Sequence, residues 1–134
     1  MKNLIICLLL FIFSNSYAKE VKFERIFDDL NKPWSFSFID NENVIITEKL
    51  GKLLTLNLKD KNVNEIKHNL SLISLGQGGL LDVIYKDNTI YISYSENRGN
   101  WETSTSVAKG IFHKKKIIFK NIFRAEPPID SGYH

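Results

Sequence analysis

Leu80-Leu81-Asp82-Val83-Ile84-Tyr85, the turn residues Asp87-Asn88, and Thr89-Ile90-Tyr91-Ile92-Ser93-Tyr94-Ser95 decide the fold. Both runs are rich in β-branched and aromatic residues, and short polar side chains that tolerate a left-handed backbone separate them. In the second run Ile90, Ile92 and Tyr94 fall on one face, the period of two that marks a half-buried strand. The stretch therefore predicts a β-hairpin. Upstream, Phe36-Ser37-Phe38-Ile39, Val44-Ile45-Ile46-Thr47, Lys52 to Leu58 and Val63 to His68 predict four strands. Turn clusters at Asp40–Asn43, Lys49–Gly51 and Lys59–Asn62 separate them, and Leu54, Leu56 and Leu58 share a face. Downstream, the hairpin is followed by a predicted loop from Glu96 to Ser104. Strands at Ser106–Phe112 and Ile117–Phe123 come next, joined by a lysine-rich turn. Ile45 and Ile90 hold comparable places, so the unit repeats at roughly 45 residues, the length of a four-stranded propeller blade. The prediction is an all-β chain of two blades, an incomplete β-propeller. An eight-stranded β-sandwich is the structural alternative.

Composition agrees with a folded chain. The 134 residues are 43% hydrophobic and 25% charged, too apolar for disorder. A formal charge of +3 gives no electrostatic footprint for nucleic acid. The single cysteine, Cys7, cannot form an internal disulfide, and no Cys/His cluster has metal-ligand spacing. A blade cannot cover both of its own faces. Residues 19–134 in isolation are therefore expected to aggregate or pack loosely.

The first residues read as an export signal. Lys2 precedes an unbroken apolar run from Leu4 to Phe13, and Ser16 and Ala18 have the small-residue spacing that signal peptidase accepts. The run is shorter than the about 20 residues needed to span a bilayer. Residues 1–18 are thus expected to be a signal peptide cleaved after Ala18. Cys7 leaves with it, and a periplasmic or secreted protein with no membrane anchor remains.

Three stretches carry a resemblance. Pro33-Trp34 is followed by Thr47-Glu48 and then by Gly51-Lys52-Leu53. Gly76-Gln77-Gly78-Gly79-Leu80-Leu81-Asp82-Val83 is the most specific, and Ser131-Gly132-Tyr133-His134 ends the chain. Together these are similar to the soluble, pyrroloquinoline-quinone (PQQ)-dependent aldose dehydrogenases, the glucose/sorbosone dehydrogenase family. The resemblance implies a six-bladed propeller, with this chain as about its first third. It further implies oxidation of aldose sugars at C1 to lactones, with PQQ as hydride acceptor, calcium beside it and an external electron acceptor. By the family's pattern, His134 is the general base and Gln77 a substrate or cofactor neighbour. The groups that hold quinone and calcium are expected beyond residue 134, with no metal site in this chain, which alone should be inactive. Some members place an Asp before the histidine; Tyr133 stands there here.

The chemistry suits these residue types. An imidazole has an unperturbed pKa of about 6.5, suited to taking a proton from an anomeric hydroxyl near neutral pH. An amide such as Gln77 can both donate to and accept from sugar hydroxyls. Its flanking glycines let main chain come close to a ligand. The other candidates have plainer expectations. Trp34 reads as a plug between blades, or a sugar platform. Glu48 and Asp82 read as acceptors for neighbouring loops, and His68 and His113 as solvated surface. Trp101 reads as a rim or docking contact. A non-catalytic propeller that binds sugar or protein is the functional alternative. A lactone hydrolase would need a carboxylate-lined calcium site that this sequence does not offer.

Overall fold

The hairpin at Asp87-Asn88 closes through two residues with positive φ, 49° and 58°, as a tight two-residue turn between right-twisted strands requires. It joins β5 (Leu80–Lys86) to β6 (Thr89–Gly99). The computed structural model describes residues 20–130. The expected signal peptide, residues 1–18, and His134 lie outside the described residues.

Before this hairpin run β1 (Pro33–Phe38), β2 (Asn43–Glu48), β3 (Lys52–Asn57) and β4 (Val63–His68), an antiparallel meander. After it come β7 (Glu102–Ile111), β8 (Lys116–Ile117), β9 (Lys120–Arg124) and β10 (Ile129–Asp130). The second sheet is built on β5, β6 and β7, with β9 and then β10 pairing to β7. Two four-stranded antiparallel units in sequence are two blades of a propeller, and no helix occurs among the described residues.

Alternation places the core between the sheets. Ile45, Leu53 and Ile66 of the first sheet meet Leu80, Val83, Ile90, Ile92 and Ala108 of the second, all essentially inaccessible to water. Burying each such aliphatic side chain contributes about 1.5–3 kcal/mol. Where β1 meets β5, small hydroxyls take the place of bulk. Thr47 Oγ1 donates to the Leu81 carbonyl at 2.5 Å, Ser37 Oγ accepts from Tyr85 N–H at 3.0 Å, and Ser35 Oγ donates to the Asp82 carboxylate.

Both outer faces are apolar as well. On the first sheet Val44, Ile46, Leu54 and Leu56 lie partly beneath Phe27 and Leu30, while Trp34, Phe36 and Phe38 stand exposed beside them. On the second, Ile84, Ile111, Ile118 and Phe123 are exposed. A sandwich turns polar side chains outward, whereas a blade offers both faces to neighbours. The blade reading therefore holds and the sandwich does not.

Two predicted spans differ from the structure. The expected loop from Glu96 to Ser104 is the extension of β6 and β7 into a long hairpin. Asn100 and Trp101 form its tip at φ 51° and 63°, beside a bulge at Gly99. Asn97, Arg98, Gly99 and Asn100 are turn formers by type, and a tryptophan rarely takes a left-handed turn position, so the sequence hides the hairpin. The expected strand Ile117–Phe123 is two strands. Residues 116–117 pair in parallel with β4 of the first sheet, and 120–124 pair with β7. The Asn69 side chain fixes the crossing by receiving the Phe119 N–H at 2.8 Å and donating to the Phe119 carbonyl at 3.1 Å.

Candidate functional site

Gln77 occupies the tip of the loop that carries the chain from β4 into β5. Gly78 N–H donates to the Leu75 carbonyl at 2.7 Å, closing a tight turn over Gly76 and Gln77, and Gly76 takes a φ of 51°. Gly79 follows at φ 147°, where a Cβ atom would collide with the Lys49 carbonyl oxygen. That oxygen receives the Leu80 N–H at 3.0 Å, and the Lys49 ammonium donates to the Gly76 carbonyl. From the other side, Ser95 Oγ accepts the Gly79 N–H at 3.2 Å and Ser95 N–H donates to the Gly79 carbonyl at 2.8 Å. The loop is thus gripped between the β2–β3 turn and β6. Gln77 itself is exposed, and its amide makes no hydrogen bond among the described residues.

The start of the same loop runs along the edge of β6. Ile73 N–H donates to the Ser95 carbonyl and Asn97 N–H to the Ser71 carbonyl, both at 3.0 Å, with Leu72 bridged to Glu96. The Glu96 side chain gathers the other strands. Arg124 holds it in a fork through Nε and Nη2, each at 2.6 Å, Ser106 Oγ donates at 2.7 Å, and Asn121 Nδ2 at 3.1 Å. Tyr94 Oη donates to Asn121 Oδ1 at 2.8 Å. Burial by itself raises the Glu96 pKa; the bonds from Arg124 and Ser106 outweigh it and hold the carboxyl below its ordinary value. Burial raises the Tyr94 phenol.

The other sequence candidates separate from Gln77. Trp34 lies within β1 and lines a groove of about 450 Å³ on the outer face of the first sheet, with Ile26, Phe36 and Phe38. It belongs to the exposed apolar face of that sheet, apart from the Gln77 loop. Glu48 is buried and accepts Asn31 N–H at 2.5 Å, the loop-acceptor role expected of it; Asp82 instead accepts from strand residues, the Ser35 hydroxyl on β1 and Val83 N–H on β5. His113 is exposed. His68 departs from expectation: it is half-buried, edge-on to the Phe119 ring, with Nδ1 accepting Leu70 N–H at 3.3 Å. Its Nε2 lies 2.8 Å from the Gly51 carbonyl, so the ring ties β4 to the β2–β3 turn. Trp101 stands exposed at the hairpin tip. The Glu96 network was missed because its partners are 10 to 28 residues away in sequence.

Gln77 and the exposed main chain at Gly76 can approach a ligand, whereas Gly78 is buried. No group of three or more His, Cys, Asp or Glu among the described residues could hold a metal ion. No helix among the described residues is long and apolar enough to cross a membrane.

Comparison with known proteins gives the context. Residues 30–134 match the family described as Glucose / Sorbosone dehydrogenase. A glucose dehydrogenase crystal structure superposes with a TM-score of 0.76 at 29% identity, covering 83% of this chain and 35% of that one. The apo form of the soluble aldose sugar dehydrogenase from Escherichia coli gives 0.74 at 29% identity with the same coverage. The PQQ-bound aldose sugar dehydrogenase from Streptomyces coelicolor, at 14% identity, shares the fold with a TM-score of 0.67, over 78% of this chain and 33% of that one. No curated protein is matched. The chain spans about a third of the length of these relatives. With the match running from just before β1 to the last residue, through both blades and the Gln77 loop, the chain belongs to the glucose/sorbosone dehydrogenase family.

Proposed function

We propose that the full-length protein carrying this chain is an exported aldose dehydrogenase that oxidises a sugar at C1 to the lactone and passes electrons to an external acceptor. The observation that carries this reading is the Gln77 loop. Its glycines are gripped by Lys49 and Ser95 while the Gln77 amide stays exposed and unengaged by the described residues. The PQQ-bound relative and the glucose and aldose dehydrogenases of similar fold support the substrate class and the cofactor. When bound, the quinone supplies the hydride acceptor, and its ligands and those of calcium are assigned to later blades. In this chain Gln77 orients a sugar hydroxyl, using either end of its amide, and His134 takes the anomeric proton. These two blades alone should be inactive, because the ligands of quinone and calcium are proposed on others. Export is part of the proposal: the mature protein begins at Lys19, and an intact mass that retains Met1 on exported protein would contradict it.

The amide should act on binding more than on chemistry. A single neutral hydrogen bond contributes about 0.5–1.5 kcal/mol, so Gln77→Ala should raise KM for the preferred aldose roughly three- to tenfold, with kcat little changed. Steady-state kinetics of the full-length protein check this. An unchanged KM removes Gln77 from the substrate site.

A further inference from the structure

We infer that Glu96 is a positioning residue that ties the Gln77 loop to β7 and β9 and so fixes where the Gln77 amide stands, a role that rests on the function proposed above. Three consecutive residues of β6 carry the argument. The main chain of Ser95, Glu96 and Asn97 holds the loop at both ends: Ser71 to Ile73 pair along its edge, and Gly79 is bonded twice to Ser95. The Glu96 side chain, nearly buried, faces the other way across the sheet and binds Ser106 on β7 and Asn121 and Arg124 on β9. Beyond Arg124 the chain passes Ala125, whose N–H donates to the Thr105 carbonyl at 2.9 Å. It then pairs again with β7, Ile129 opposite Thr103 and Asp130 opposite Glu102, four residues short of His134.

One residue therefore joins the Gln77 loop, held through its main chain, to β9, held through its carboxylate. A fork from arginine fixes direction as well as distance, because two parallel N–H···O bonds resist rotation of either partner. Arg98, two residues on, repeats the link on a smaller scale. It donates to Ser104 Oγ at 3.0 Å and pairs with Glu126 at 2.8 Å, just before the Pro127-Pro128 bend into β10. An amide orients a hydroxyl only within hydrogen-bond distance, about 2.7–3.2 Å, so a shifted loop binds the sugar more weakly.

The test compares Glu96→Gln with wild type in the full-length protein by two readouts. Glutamine keeps the shape but loses the charge and the second acceptor of the fork. Amide hydrogen exchange should show Ile73, Gly79, Leu80 and Asn97 losing protection at least tenfold, while Ile45, Ile46 and Leu54 of the first sheet keep theirs. Kinetics should show KM for the preferred aldose rising roughly three- to tenfold with kcat little changed, the pattern of Gln77→Ala, and no further rise when the two substitutions are combined. Should Glu96→Gln fail to fold, Arg124→Lys keeps the charge but not the fork and should give the same pattern in milder form. Unchanged loop protection overturns the proposal. Loss spread evenly over both sheets overturns it too, because it marks Glu96 as a general stabiliser. A localised loss of protection in a protein that oxidises no aldose leaves the clamp standing and removes the function it was to serve.

Discussion

Replacing His134 by alanine in the full-length protein should lower kcat for aldose oxidation by about 10²- to 10⁴-fold, the usual worth of a positioned general base. Cofactor affinity should change much less, because the proposal puts the quinone's ligands on other blades. The pH profile gives a second readout. A base works only when unprotonated, so wild-type kcat/KM should fall as pH drops through the imidazole pKa, near 6.5 if unperturbed. The alanine variant should lack that limb. Full activity in His134→Ala, or a surviving acid limb with the same midpoint, removes the assignment.

Gly79→Ala should be the most damaging single-methyl change in the described residues. At φ 147° a non-glycine residue is strained, and its Cβ would meet the Lys49 carbonyl that also receives the Leu80 N–H. Backbone strain of this kind costs about 1–3 kcal/mol, and forcing a methyl into filled space costs about another 1–3. Together they approach the whole stability of a modest domain. Gly99→Ala is the control. Its φ of 83° is also unfavourable, yet an added Cβ there meets nothing within 4 Å, so only the strain remains. Denaturant unfolding of the two variants in the full-length protein should show Gly79→Ala losing clearly more stability than Gly99→Ala. Equal losses would mean that the grip of Lys49 on the loop is not tight.

What the sequence revealed and what it hid follow from the range of the interactions. Alternation in Lys52–Leu58 and Thr89–Ser95, and the continuous β-branched run Val44–Thr47, which is buried on both faces, made the strands legible because both are local patterns. The turn at Asp87-Asn88 was legible for the same reason: its residue types match the backbone they adopt. The hairpin tip at Asn100-Trp101 was not, since the pairing of Glu96 with Ser104 and Asn97 with Thr103 outweighs local turn preference. The glycines around Gln77 announced a constrained loop. Nothing local announced that Ser95 and Lys49 hold it, or that Glu96 reaches Arg124. His68 looked solvated beside Lys67 because the ring of Phe119, which packs against it, lies 51 residues on. Both apolar outer faces were foreseeable from a blade, and Trp34 belongs to one of them.

The central claim is that this chain supplies part of the site of a quinone-dependent aldose dehydrogenase. The most direct measurement expresses the full-length protein without cofactor and adds PQQ and calcium. Dye reduction is then followed with a panel of aldoses, with residues 19–134 alone as a control. The account predicts dye reduction that depends on both the quinone and an aldose, with none from residues 19–134. Full-length protein that binds sugar but reduces no dye with any aldose would contradict it and make the propeller a binding module.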